Sequence, residues 1–276
     1  MADSFGQRLL DRAADLGPLC VGIDPSSTLL TQWDRSDNAD GLEFFSLAVL
    51  EAAVGTAVAI KPQIAYFERF GAAGYGVLER LFAEARDADI LIIADAKRGD
   101  IGSTNDGYAS AWLDDRSPLC ADALTVSPYT GMGALHPFFN RAHDGKGVFV
   151  LAATSNDEGR ELQRARTANE EAVEDLILRQ VAELNEHSEG LGSVGVVLGA
   201  TRTRPQFDLA QLRGPYLVPG VGAQGATPEQ VGRLFERCPK GSVIVNVSRA
   251  ILQAGPERSS LRDAVKRWRD DLAQVL

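Results

Sequence analysis

The apolar positions of this chain gather into eight short runs, each followed by a stretch of helical period. The runs fall at about 19–25, 57–62, 91–97, 121–127, 148–153, 194–199, 216–221 and 242–247. Runs of that length, rich in β-branched residues and closed by glycine, proline or a charge, are the buried strands of a parallel sheet. Between them, apolar residues recur every three or four positions over 41–53, 74–86, 108–113, 169–187 and 260–275, the spacing of helices that bury one face. A further helix opens the chain, where Ser4 caps a face made of Phe5, Leu9, Leu10 and Ala13. Thr227-Pro228 starts another, and Pro256 with Ser259-Ser260 announces the last.

Strands that alternate with helices, with no linker or low-complexity tract, predict βα units around a parallel sheet. The chain has 276 residues, close to the ~250 of a closed α/β barrel. A doubly wound open sheet alternates in the same way, but it uses five or six strands and a Gly-rich turn after the first. Here the first run ends in Asp24-Pro25-Ser26. The expected fold is therefore a (β/α)8 TIM barrel with an additional N-terminal helix, forming one domain over 1–276.

In such a barrel the chemistry sits at the C-terminal ends of the strands. Those ends supply Asp24, Lys61, Asp95 with Lys97, Ser127, Gln224 and Arg249. Asp95 and Lys97 are two apart, so a regular strand points both to one face, and Asp100 follows in the loop. Any one of these reads as a capping or solvated group. Their shared rim points to a site. The segment from Val218 to Ala226 is Gly-rich and opens a helix, which suits a phosphate held by backbone N–H groups, and Ser248-Arg249 adds a fork-shaped cation. A phosphorylated small molecule is the expected substrate.

Composition narrows the setting. Hydrophobic residues at 45% and charged residues at 24% give the balance of a soluble enzyme, and no run reaches the ~20 apolar residues of a membrane span. The acidic start, with no apolar core behind it, predicts no secretory signal and a cytoplasmic protein. Cys20, Cys120 and Cys238 suit neither a disulfide framework nor a zinc site, and His136, His143 and His187 form no ligand pattern. No metal and no cofactor is expected. A net charge of −10 argues against a nucleic-acid partner.

Taken together, Asp95-Ala96-Lys97-Arg98-Gly99-Asp100-Ile101-Gly102-Ser103-Thr104, with Gly22-Ile23-Asp24, Ile60-Lys61-Pro62, Thr125-Val126-Ser127-Pro128 and the segment from Pro219 to Gly225, resembles the orotidine 5′-phosphate decarboxylase family over nearly the whole chain. The likeness is to the branch with a longer chain and Arg-Gly inside the motif. The resemblance implies cofactor-free conversion of orotidine 5′-phosphate to UMP and carbon dioxide in pyrimidine synthesis. It gives Lys97 the protonation of C6 and sets Asp95 beside the substrate carboxylate. Lys61 and Asp100 complete an alternating charged array. It further implies a homodimer with a shared site, Asp100 and Thr104 coming from the partner subunit. Asp24 would bind ribose hydroxyls, Ser127 the pyrimidine, and Gln224 with Arg249 the phosphate, with Ile101 and Pro219 also against the substrate. The loop after the seventh strand lacks the tyrosine that some relatives use on the phosphate, while the segment 154–167 is long and charged, so either can supply the lid.

Two other readings compete. A magnesium-dependent sugar-phosphate decarboxylase or aldolase shares the Asp-x-Lys-x-x-Asp motif but places an acidic metal ligand where this chain has Lys61, a poor neighbour for Mg²⁺. A non-catalytic nucleotide-binding barrel would have little reason to retain a complete charged tetrad.

Overall fold

The computed structural model describes residues 3–201, 205–222 and 225–276. Its strands are β1 (Leu19–Ile23), β2 (Ala59–Pro62), β3 (Leu91–Arg98), β4 (Ala123–Val126), β5 (Gly147–Ala153), β6 (Val194–Leu198), β7 (Tyr216–Val218) and β8 (Val243–Val247). They pair in chain order, all parallel, and β8 returns to β1 through Leu19↔Val245 to close the barrel. The expected (β/α)8 barrel with its N-terminal helix is the fold found.

Alternation along the strands sorts the core into two parts. Cys20, Ala59, Leu91, Ile93, Ala123, Phe149, Val197, Leu217 and Ile244 pack together in the lumen, whereas Ile60, Ile92, Ala94 and Leu124 belong to the larger core shared with the helices. The helix Phe5–Leu16, capped by the Ser4 side chain, drives Phe5 and Leu9 into the bottom of the lumen. The Phe5 ring meets Phe149 edge to face at 5.9 Å. Gly147 makes room for it, since a Cβ there would lie 2.5 Å from the ring. Phe5 and Leu9 thus fill the barrel from below.

Several elements differ from the reading of the sequence. The helix His136–His143 was not anticipated, because two turns give too short a period, although Pro137 sits at its first turn. The helix expected over 169–187 runs from Val173 to Leu184, and the residues before it form a turn in which Glu170 has φ +60°. β7 stops at Val218 because Pro219 has no N–H for the ladder and Gly220 turns at φ +95°.

Candidate active site

Continuing the lumen alternation upward by two residues places the polar groups. Above Ala59 comes Lys61, above Ile93 Asp95, above Ala123 Thr125 and above Ile244 Asn246, and all four line one cavity of about 390 Å³ at the C-terminal rim. Asp24, Lys97, Pro219, Ser248 and Arg249 line it as well. Leu151, Val197 and Leu217 add apolar wall. Substrate entering this space would lose water on one flank and meet fixed charge on the other.

Asp95 is the hub. Its Oδ2 accepts from Lys61 Nζ at 2.6 Å, and its Oδ1 accepts from Lys97 Nζ at 2.6 Å and from Thr125 Oγ1 at 2.9 Å. The Gln63 amide, with its nitrogen turned to the carboxylate, donates to Asp95 Oδ2 at 2.7 Å and accepts from Lys97 Nζ at 3.3 Å. Burial alone would raise the Asp95 pKa, but the two ammoniums outweigh it and hold the carboxyl well below the usual range. Burial alone would lower Lys61, and Asp95 with Asp24 more than reverses this, leaving the ammonium above its ordinary value. Both groups are therefore charged at neutral pH. Lys61 and Asp95 are buried, whereas the Lys97 side chain keeps 44% of its surface open to the cavity.

Lys97 does not reach this point from a regular strand. The β3–β4 pairing breaks between Ala94 and Arg98, and Lys97 has φ +49°, a left-handed conformation rare for a side-chain-bearing residue. Its N–H donates to Thr125 Oγ1 at 3.0 Å, so Thr125 holds both the backbone of Lys97 and the carboxylate of Asp95.

Across the cavity, Gly22 has no space for a side chain, since a Cβ would meet Ser248 Oγ at 1.8 Å. Ser248 in turn accepts from Asn246 Nδ2 at 3.3 Å. Asp24 Oδ1 is buried with no partner, an acceptor left for a ligand. Burial pushes the Cys20 thiol at the base of this wall up to about 12, so it stays neutral. Among the described residues no group of three or more His, Cys, Asp and Glu side chains could hold a metal ion.

A family model described as Orotidine 5′-phosphate decarboxylase / HUMPS family matches residues 17–264. The chain belongs to that family. It is 48% identical over 275 residues to the orotidine 5′-phosphate decarboxylase of Salinispora arenicola, covering 99% of each chain, and 47% identical over 272 residues to that of Corynebacterium glutamicum, covering 97% of each. Among solved structures, it is similar to a candidate orotidine 5′-phosphate decarboxylase from Streptomyces avermitilis, with TM-score 0.95 and 47% identity over 99% of this chain and 96% of that one. It is also similar to the Leishmania donovani OMP decarboxylase, with TM-score 0.77 and 30% identity over 99% of each.

Within this decarboxylase-family barrel, the residues expected from the sequence divide into two groups. Asp24, Lys61, Asp95, Lys97, Pro219 and Arg249 share the cavity. Asp100, Ile101 and Thr104 lie outside its wall, in the loop after β3 and the first turn of the helix Ser103–Leu113. Ser127 lies beyond the end of β4, its N–H donating to Arg98 O at 2.8 Å, and it also stands outside the wall. Gln224 falls outside the described residues. Gln63, Thr125, Asn246, Ser155 and Asn156 line the cavity without having been singled out as site residues. Thr125 and Asn246 could have been found by stepping two residues up from Ala123 and Ile244.

Proposed function

We propose that this chain is an orotidine 5′-phosphate decarboxylase that converts its substrate to UMP and carbon dioxide without a cofactor. One observation carries the reading: Asp95 holds the ammoniums of Lys61 and Lys97 on opposite carboxylate oxygens at the edge of a cavity that Arg249 also lines. The bond from C6 to the carboxylate breaks, carbon dioxide leaves, and the electron pair stays on C6 in the ring plane, where the π system stabilises it poorly. A fixed ammonium answers that charge, and preorganised electrostatics of this kind is commonly the largest catalytic contribution. Lys97, the more open of the two lysines, gives C6 its proton. Lys61 keeps Asp95 ionised and in place.

Asp24, with its unpartnered buried oxygen, is assigned to a ribose hydroxyl, and Arg249 with Gln224 and the loop from Pro219 to the phosphate. Ser127 was expected at the pyrimidine. We keep that assignment, and add to it Thr154, Ser155 and Asn156, which line the cavity beyond the end of β5.

The same proposal includes a homodimer in which Asp100, Ile101 and Thr104 complete the partner's site. It is supported by their position outside this chain's own cavity and by exposed apolar residues at that corner. Ile101 is 63% and Tyr129 82% exposed, and Thr130 Oγ1 donates to Asp100 O at 3.0 Å, tying the two loops together. No described helix is long and apolar enough to cross a membrane. A cytoplasmic setting belongs to the proposal and suits three free cysteines.

Purified protein mixed with orotidine 5′-phosphate should abolish the substrate's absorbance while UMP accumulates in equal amount. Binding of UMP without turnover would favour the non-catalytic barrel.

A further inference from the structure

Lys97 is held in a bulge, and the far end of that bulge is fastened outside the cavity. The pairing of β3 with β4 runs Ile93↔Ala123 and Ala94↔Leu124 and resumes at Arg98↔Val126. Residues 95–97 therefore stand opposite Thr125 alone, which bonds to both ends of that excursion. Such a bulge re-aims a side chain, but a left-handed Lys97 persists only where the surroundings over-determine it. Thr125 fixes the near side. On the far side the chain rejoins the ladder at Arg98, whose carbonyl accepts from Ser127 N at 2.8 Å. Gly99 follows with no room for a side chain, since a Cβ would lie 2.4 Å from Ser127 O.

The Arg98 side chain turns away from the cavity into the helix layer. Its guanidinium lies over the rings of Tyr108 and Trp112, at 5.5 and 5.6 Å from their centroids, both on the helix Ser103–Leu113. It also pairs with Glu68, at the end of the helix Ala65–Glu68, whose Oε1 accepts from Tyr75 OH at 3.0 Å. The Arg98 Nε is buried without a partner, and the rest of the group is held by Glu68, the Tyr75 hydroxyl and two ring faces. What the guanidinium adds is a charged anchor that lies over the two rings and pairs with Glu68.

We propose that Arg98 is a positioning residue: by anchoring the far end of the bulge to two helices, it keeps Lys97 in the conformation from which its ammonium meets Asp95 and the reacting carbon. The inference rests on the reading of Lys97 as proton donor. Arg98 does not line the cavity, so it acts on the chemical step and not on substrate affinity.

The test is steady-state turnover of orotidine 5′-phosphate together with UMP binding, for Arg98→Met, Arg98→Lys and Glu68→Gln, with Lys97→Ala and the surface variant Arg80→Met in parallel. Misplacing a catalytic group by about an ångström lowers rate about 100-fold, and Arg98→Met should lose that much in kcat while KM and the UMP Kd stay within about twofold. Arg98→Lys, which keeps the cation over the rings, should recover about tenfold of that loss. Glu68→Gln should lower kcat in the same pattern, and it carries the test if Arg98→Met does not fold. Arg80→Met should match wild type. Wild-type kcat in Arg98→Met or Glu68→Gln beside an inactive Lys97→Ala would overturn the role of Arg98, as would losses of kcat and UMP affinity in equal proportion. Full activity in Lys97→Ala would instead overturn the underlying assignment of the proton donor.

Discussion

Lys97 Nζ stands 2.6 Å from Asp95 Oδ1, while the other oxygen of the same carboxylate holds the buried Lys61 at the same distance. One anion thus fixes two cations, and removing it has two consequences. Asp95→Asn leaves the buried Lys61 ammonium without its principal partner, and breaking a buried pair costs about 3–5 kcal/mol. Urea denaturation at neutral pH should show a loss of that size, together with the loss of turnover. A variant as stable as wild type would mean that Lys61 has found another partner or become neutral.

The same pair sets the pH range of the array. Asp95 has a depressed folded-state pKa, so its contribution to stability is present above the ordinary carboxylate value of about 4 and fades as pH falls below it. Lys61 is raised, so its contribution is present below the ordinary lysine value of about 10.4 and is lost as pH climbs through the folded value. In the wild-type protein neither group should titrate between about pH 5 and pH 9, whereas in Asp95→Asn the buried Lys61, without its principal partner, should give up its proton more readily. The interval between the urea midpoints of wild type and Asp95→Asn should therefore narrow as pH rises towards about 9, and an interval that widens would contradict the assigned charges.

Arg249 lines the cavity beside Ser248, at the start of the short helix Arg249–Leu252. If it carries the phosphate, Arg249→Ala should weaken UMP binding by about 2–5 kcal/mol, the worth of a charge-assisted fork. Added guanidinium should restore part of it. Unchanged UMP affinity by calorimetry would remove Arg249 from the phosphate site.

The chemistry proposed needs an ammonium and a proton, and Lys61 occupies the place where a magnesium-dependent relative needs an acid. Overnight dialysis against EDTA should leave turnover intact. A loss restored by Mg²⁺ would favour the sugar-phosphate reading.

What the sequence disclosed follows from how each residue is held. Lys61 and Asp95 are in phase with the apolar lumen residues below them, so charge at the end of an apolar run was enough to find them. Thr125 and Asn246 are equally in phase but uncharged, and they look like ordinary strand residues until Asp95 and Ser248 are placed beside them. Gln63 lies just past β2 and reaches Asp95 because the chain turns there into the helix Ala65–Glu68. Lys97 was read as a regular strand residue, whereas it reaches the cavity through a bulge that no local pattern announces. The barrel was legible because its signal is summed over eight runs. The helix His136–His143 was not, having only two turns in which to show a period.

Asp100 tests the proposal that the site is shared between two subunits. Lys97→Ala and Asp100→Asn, each inactive alone, should on joint refolding return about a quarter of wild-type activity, because half the dimers are mixed and each mixed dimer has one intact site. Recovery near zero, with mixed dimers shown to be present, would place Asp100 in its own subunit's site.

The most direct test of the account follows the proton. Orotidine 5′-phosphate turned over in D₂O should give UMP deuterated at C6, with the H5 signal collapsed to a singlet in the ¹H spectrum, at a rate lost in Lys97→Ala. No UMP from the wild-type protein, or an undiminished rate in Lys97→Ala, would contradict it.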